Sequence, residues 1–183
     1  MKKLALLILL MMIFQSSVFS RPVVFNDDGK FGLKDENGNI VVKAEYKKLI
    51  RLGETGWIIQ KGSKFGIMND EGKILVEPKY NRADRVLGKF AKLTKGEKIG
   101  LFDEQGFVIL HPEYSSIDLL FGGMFLTCKN YKYGVTDFNG QPILDNVFDD
   151  IYMPKPNVMI ITYNGQKYEI QGIKPGEMTL PTD

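Results

Sequence analysis

Lys64-Phe65-Gly66-Ile67-Met68-Asn69-Asp70-Glu71-Gly72-Lys73-Ile74-Leu75-Val76-Glu77-Pro78-Lys79-Tyr80 decides the fold, because copies of it recur along most of the 183-residue chain. An aromatic or aliphatic residue followed by glycine stands at Phe31-Gly32, Phe65-Gly66, Ile99-Gly100 and Tyr133-Gly134, a period of 34 residues without slippage. A lysine precedes each pair: Lys30, Lys64, Lys98 and Lys132. The turn glycines Gly38, Gly72, Gly106 and Gly140 keep the same period, as do the rings that close each unit, Tyr46, Tyr80, Tyr114 and Phe148.

Within each unit, apolar residues alternate in short runs bounded by Gly, Asn and Asp, the pattern of strands and not of helices. In the second unit the spacing predicts strands over Trp57 to Lys61, Lys64 to Asn69 and Lys73 to Glu77, with a short fourth segment around Arg82 to Leu87. The first connection is a two-residue loop: Asp28-Gly29, Gly62-Ser63, Gly96-Glu97, Asn130-Tyr131 and Asn164-Gly165. Asp-Gly and Asn-Gly favour a type I′ turn and Gly-X a type II′ turn, whose positive φ angles match the strand twist. The second connection opens on Asp or Asn, whose side chain accepts backbone N–H groups, and closes on a glycine able to turn left-handed. Such a register puts Ile58, Phe65 and Ile67 on one face and Trp57, Ile59, Gly66 and Met68 on the other. A sheet apolar on both faces must be covered on both, and a glycine at position 66 implies close approach of a ring or of backbone.

These residues predict an all-β protein of tandem 34-residue antiparallel meanders in an open, solenoid-like stack. A small β-propeller is the alternative; its blades usually need about 40–45 residues. Pairing of the Val23 to Phe25 strand with the hairpin near Val158 to Tyr163 would close the ring. Met153-Pro154-Lys155-Pro156 breaks the period, and the last hairpin carries Tyr168-Glu169 where the aromatic-Gly pair is due, offset by one residue.

The Lys, aromatic, Gly, apolar pair, acidic turn, Pro and Tyr pattern resembles the WG (KWG) repeat of bacterial proteins over about residues 22–170, as four near-complete units and a remnant. The usual tryptophan of that family is replaced here by Phe31, Phe65, Ile99 and Tyr133. The resemblance implies a repeat scaffold of exported or multidomain bacterial proteins, and brings no reaction, cofactor or catalytic residue with it.

Residues 1–20 have the layout of a secretory signal peptide: Met1-Lys2-Lys3, an uncharged apolar run from Leu4 to Phe14, then small and polar residues up to Ser20. A membrane span needs about 20 apolar residues, and this run is polar by Gln15. Cleavage after Ser20 is therefore expected, with export to the periplasm or the extracellular space and no transmembrane segment in the mature chain. No cysteine near the site supports a lipid anchor. Residues 21–171 form the repeat domain and 172–183 a disordered tail. Without Lys2 and Lys3 the 24 basic residues become 22, equal to the 22 acidic ones, a balance that argues against a nucleic-acid partner. One cysteine, Cys128, excludes an internal disulfide framework; a reduced thiol covered by the neighbouring unit is expected.

Catalysis has few candidates. His111, the single histidine, stands where other units carry Lys43, Glu77 and Asp145 and is expected to face solvent. The acidic turns lack the spacing of an EF-hand, so neither a metal nor another cofactor is expected, and the chain is read as non-enzymatic. Its charges are more informative. Lys61, Lys64, Lys95, Lys98, Lys129 and Lys132 flank the first loops, with Lys30 and Lys167 at the ends; Asp35, Glu36, Asp70, Glu71, Asp103, Glu104 and Asp137 occupy the second loops. In a meander these lie at opposite ends of the strands, giving one basic and one acidic rim. The basic rim is the candidate binding site, for an unknown protein or an anionic envelope component. A carbohydrate-binding module using Trp57, Phe90, Phe121 and Phe125 is the alternative, and a hydrolase assembled from loops of several units a further one.

Overall fold

A computed structural model describes residues 21–172; the expected signal segment and residues 173–183 of the expected tail lie outside them. All regular structure in this range is antiparallel strand, in five sheets, each ordered as a meander. The first holds β1 (Val23–Asp27), β2 (Lys30–Lys34) and β3 (Ile40–Tyr46). The second holds β4 (Lys48–Leu52), β5 (Gly56–Lys61), β6 (Lys64–Asn69) and β7 (Ile74–Tyr80). The third repeats it with β8 (Arg82–Val86), β9 (Phe90–Lys95), β10 (Lys98–Asp103) and β11 (Val108–Tyr114). The fourth holds β12 (Ser116–Leu120), β13 (Met124–Lys129), β14 (Lys132–Asp137) and β15 (Pro142–Phe148). The last is β16 (Asp150–Lys155), β17 (Val158–Tyr163) and β18 (Gln166–Gln171).

The short fourth segment, which leads into the next unit, is a strand that opens the next sheet: β8 pairs with β9, Arg82 opposite Thr94 and Val86 opposite Phe90. The expected break at Met153 to Pro156 is corrected. β16 runs through Met153 and Pro154 to Lys155 and absorbs the irregularity as a register shift between Tyr152 and Lys155, the kind of place where a strand tolerates proline. Gly172, assigned to the tail, still donates its N–H to Asn157 O at 3.0 Å.

The first two strands of each sheet lie against the last two of the sheet before it. Both faces of the middle strands are consequently covered, as their apolar residues require. Trp57, Ile59 and Met68 join Leu33, Val42 and Tyr46 of the first sheet, while Ile58 and Ile67 join Ala91, Leu93 and Phe102 of the third. Two further clusters link the third sheet to the fourth and the fourth to the fifth. The closing rings Tyr46, Tyr80 and Phe148 are buried, and burial pushes the Tyr46 hydroxyl up to about 12. Among the described residues β1 pairs only with β2, and β17 only with β16 and β18. The stack is open.

Candidate functional site

The two-residue turns follow the expected chemistry. Asp28 and Gly29, Asn130 and Tyr131, and Asn164 and Gly165 all have positive φ, as type I′ demands, whereas at Gly62-Ser63 and Gly96-Glu97 only the glycine does, as in type II′. The tight turns place Lys61 opposite Lys64, Lys95 opposite Lys98 and Lys129 opposite Lys132, all at one end of the strands.

These lysines are not equivalent. Lys61 Nζ lies 3.0 Å from Glu45 Oε2, Lys132 Nζ lies 2.5 Å from Asp149 Oδ1, and Lys129 pairs with Glu113. The hydrogen bond and charge of Lys129 hold the Glu113 carboxyl below its usual range and raise the lysine in turn. Asp149 is lowered by Lys132 and by the N–H of Gly165, and Glu45 by Lys61. Lys64, Lys95 and Lys98 make no ion pair among the described residues.

The neutralising acids escaped the sequence reading, although a signal was there. Glu45 and Glu113 each precede a closing ring and lie 16 residues before the lysine they bind. At the same place before Tyr80 and 16 residues before Lys95 stands another lysine, Lys79. Both lysines of the fourth-sheet tip are therefore neutralised, whereas Lys64, Lys95 and Lys98 leave unpaired charge on the second and third sheets, with Glu97 as the acid at the third-sheet tip; Lys30 and Lys167 at the rim's ends also make no ion pair among the described residues.

At the opposite end, Asp35, Asp103 and Asp137 each accept two backbone N–H groups of their own loop through Oδ1, as with Gln105 at 3.0 Å and Phe107 at 2.8 Å from Asp103. Asn69 takes the N–H of Lys73 at 2.8 Å. The acidic rim itself needs correcting. Asp70 is buried and turns inward to Arg51 and Trp57, and Glu104 reaches the preceding sheet, accepting the N–H groups of Glu54 and Thr55. Two residues expected on a solvated acidic edge thus hold sheets and loops in place.

Comparison with known proteins agrees with this architecture. The WG containing repeat matches residues 31–53, 65–98 and 99–133, just over half of the chain. The chain belongs to that family. No curated protein matches it. Among solved structures, a similar chain is PorZ, an essential bacterial surface component of the type-IX secretion system of human oral-microbiomic Porphyromonas gingivalis, at 12% identity and a TM-score of 0.38. That match covers 85% of this chain and 26% of PorZ, so the WG-repeat chain spans about a quarter of PorZ's length.

Of the four aromatics considered for a carbohydrate groove, Trp57, Phe90 and Phe125 are buried between sheets and only Phe121 is exposed. A cavity of about 230 Å³ lies beside Lys89, Phe90, Asp103, Glu104 and Phe138. Lys89 Nζ covers its aromatic wall, 5.0 Å from the Phe90 ring centre and 5.6 Å from that of Phe138. Its acids are committed to backbone N–H groups, and His111 lies exposed on β11. Cys128 is a buried free thiol, 8% exposed, next to Tyr133 across β13 and β14. A maleimide is expected to label it slowly until denaturant is added; immediate stoichiometric labelling of the folded chain would show the cover to be absent.

Proposed function

We propose that this WG-repeat chain is an exported, non-enzymatic scaffold whose basic strand ends bind an anionic macromolecule, an acidic protein or a polyanionic component of the cell envelope. The observation that carries the reading is the uncompensated charge of Lys64, Lys95 and Lys98 on two neighbouring hairpin tips, when Lys61, Lys129 and Lys132 of the same rim are already paired with Glu45, Glu113 and Asp149. Adjacent sheets pack about 10 Å apart, so such tips form a row that a chain-like or planar anionic surface contacts several at a time. Each contact is weak alone, and several together give affinity through multivalency and a strong dependence on salt. Export follows from the signal-like layout of residues 1–20.

Vesicles containing an anionic lipid, and polyglutamate as the protein-like probe, test the reading. A lysine near an anionic surface contributes enough that losing three weakens vesicle binding about 100-fold. The combined Lys64→Gln, Lys95→Gln and Lys98→Gln variant is expected to show that loss at low salt, with its thermal midpoint nearly unchanged because no ion pair is broken. The variant combining Lys129→Gln and Lys132→Gln with Glu113→Gln and Asp149→Asn, which removes both compensated pairs whole and leaves the net charge of that tip unchanged, is expected to bind much like the parent. If the triple variant binds both probes as the parent does, the basic rim is only a solvated edge that discourages pairing.

A further inference from the structure

The two ends of the stack carry matching unsatisfied surfaces. On the outer face of the first sheet lie Val23, Phe25, Lys34 and Ile40, aligned by the pairing of Val23 with Lys34 and of Lys34 with Ile40. One repeat later the same positions are Trp57, Ile59, Met68 and Ile74, and all four pack against the preceding sheet. In the first sheet nothing precedes them among the described residues: Val23 is 58% and Ile40 60% exposed, and Lys34 Nζ folds 4.4 Å above the Phe25 ring. On the outer face of the last sheet lie Tyr152, Ile160 and Glu169, again joined by register. Three repeats earlier these are Ile50, Ile58 and Ile67, which pack against the following sheet.

One position pair decides what the ends fit. At the inner junctions it is filled by Leu33 with Met68, Ile67 with Phe102, and Val135 with Ile170, each pair within one apolar cluster. Leu101 and Thr136, both buried, fill it at the remaining junction. At the free ends the corresponding residues are Glu169 on the last sheet and Lys34 on the first, opposite charges in place of an apolar pair. We propose that the chain stacks head to tail with a second copy of itself, the last sheet of one copy receiving the first sheet of the next. The apolar residues Val23, Phe25 and Ile40 then meet Tyr152 and Ile160, and Lys34 leaves the Phe25 ring for Glu169. The contact is heterologous, so it propagates into a filament unless it closes, and the geometry that repeats within the chain continues between chains. Opposite charges at the seam set polarity and register, excluding head-to-head and tail-to-tail contacts by like-charge repulsion.

Sedimentation of the exported chain over a range of concentrations tests this. The expected result is a mass that rises with concentration beyond the dimer, less so at high salt. Lys34→Glu alone and Glu169→Lys alone are each expected to weaken association by about 10-fold or more, and the chain carrying both reversals to recover it. An equimolar mixture of the two single variants is expected to recover association and to grow beyond the dimer as an alternating array, because opposite charges meet at both mixed seams while each variant alone repels itself. A parent that stays monomeric at every concentration overturns the proposal. So does association that neither single reversal changes, or that the double reversal fails to restore.

Discussion

Replacing Asp70 by alanine is expected to lower the unfolding free energy by about 3–5 kcal/mol, the usual cost of removing one partner from a buried ion pair. That is a large part of the roughly 5–15 kcal/mol margin of a folded domain. The Asp70 carboxylate accepts from Arg51 Nη1 at 2.5 Å and Nη2 at 3.2 Å, and from Trp57 Nε1 at 2.7 Å. The Arg51 guanidinium lies 4.8 Å above the Trp57 ring, and its side chain is 24% exposed. Alanine would leave that cation without its counter-ion and the indole N–H without an acceptor, next to the cluster joining the first two sheets. Asparagine retains an acceptor for the indole and should lose less. Asp137→Ala removes an acceptor of two N–H groups in an outer loop and should cost only about 1–2 kcal/mol. Trp57 is the only tryptophan, so its fluorescence follows this junction directly while circular dichroism follows the whole array, and separation of the two transitions is expected as repeat cooperativity weakens. An Asp70→Ala chain no less stable than Asp137→Ala would show that the buried pair contributes little.

How much of this was legible depended on whether a residue's role repeats. The 34-residue period carried strand positions, turn types and the two-sided burial of Ile58 and Trp57, because backbone geometry and sheet spacing force each unit to solve the same problem. It did not carry the partner of β8, since a strand of five residues pairs according to which sheet edge is free, a property of neighbouring units together. Nor did it reveal the role of residue 70. Glu36, Asp70, Glu104 and Phe138 share one repeat position, yet Asp70 turns inward, Glu104 reaches the preceding sheet, and Phe138 packs 5.0 Å from the Phe125 ring. A loop position that leaves its side chain free to choose a direction encodes its partner one unit at a time. The basic rim shows the same limit. Six lysines were read from periodicity, but the acids that neutralise half of them, Glu45, Glu113 and Asp149, recur incompletely, and Lys79 replaces one of them. Function was least legible, because charge at a strand end states a capacity and names no ligand.

Gly134→Ala is expected to destabilise the chain by about 3 kcal/mol or more, at the upper end for overpacking, through crowding and not through backbone conformation. Tyr133 pairs with Phe148 and Val135 with Leu144, so Asp145, Asn146 and Val147 of β15 stand opposite Gly134 alone. An added Cβ would lie 2.7 Å from Leu144 O and 2.9 Å from Asn146 N, and both are main-chain atoms. The bulged strand cannot retreat easily. Leu144 and Phe148 are buried on either side, and Asn146 Nδ2 is tied to Thr127 O at 2.9 Å and Lys132 O at 3.2 Å. The same bulge meets the same glycine at Gly32, Gly66 and Gly100, which explains why this half of the aromatic-Gly pair does not vary while its partner changes from Phe to Ile to Tyr. Gly100→Ala should be milder, since its Cβ would fall 3.0 Å from Pro112 N and 3.1 Å from Leu110 O. Gly96→Ala isolates the other use of glycine: its φ is +62° with nothing within 4 Å of the added carbon, so only the left-handed strain of about 1–2 kcal/mol applies. For a chain of this length each kcal/mol shifts the thermal midpoint by about 2–4 °C. The expected order of midpoints is parent, Gly96→Ala and then Gly134→Ala, the last about 6–12 °C or more below the parent; equal midpoints for the two variants would mean that β15 yields, and that close approach is not what keeps glycine in every unit.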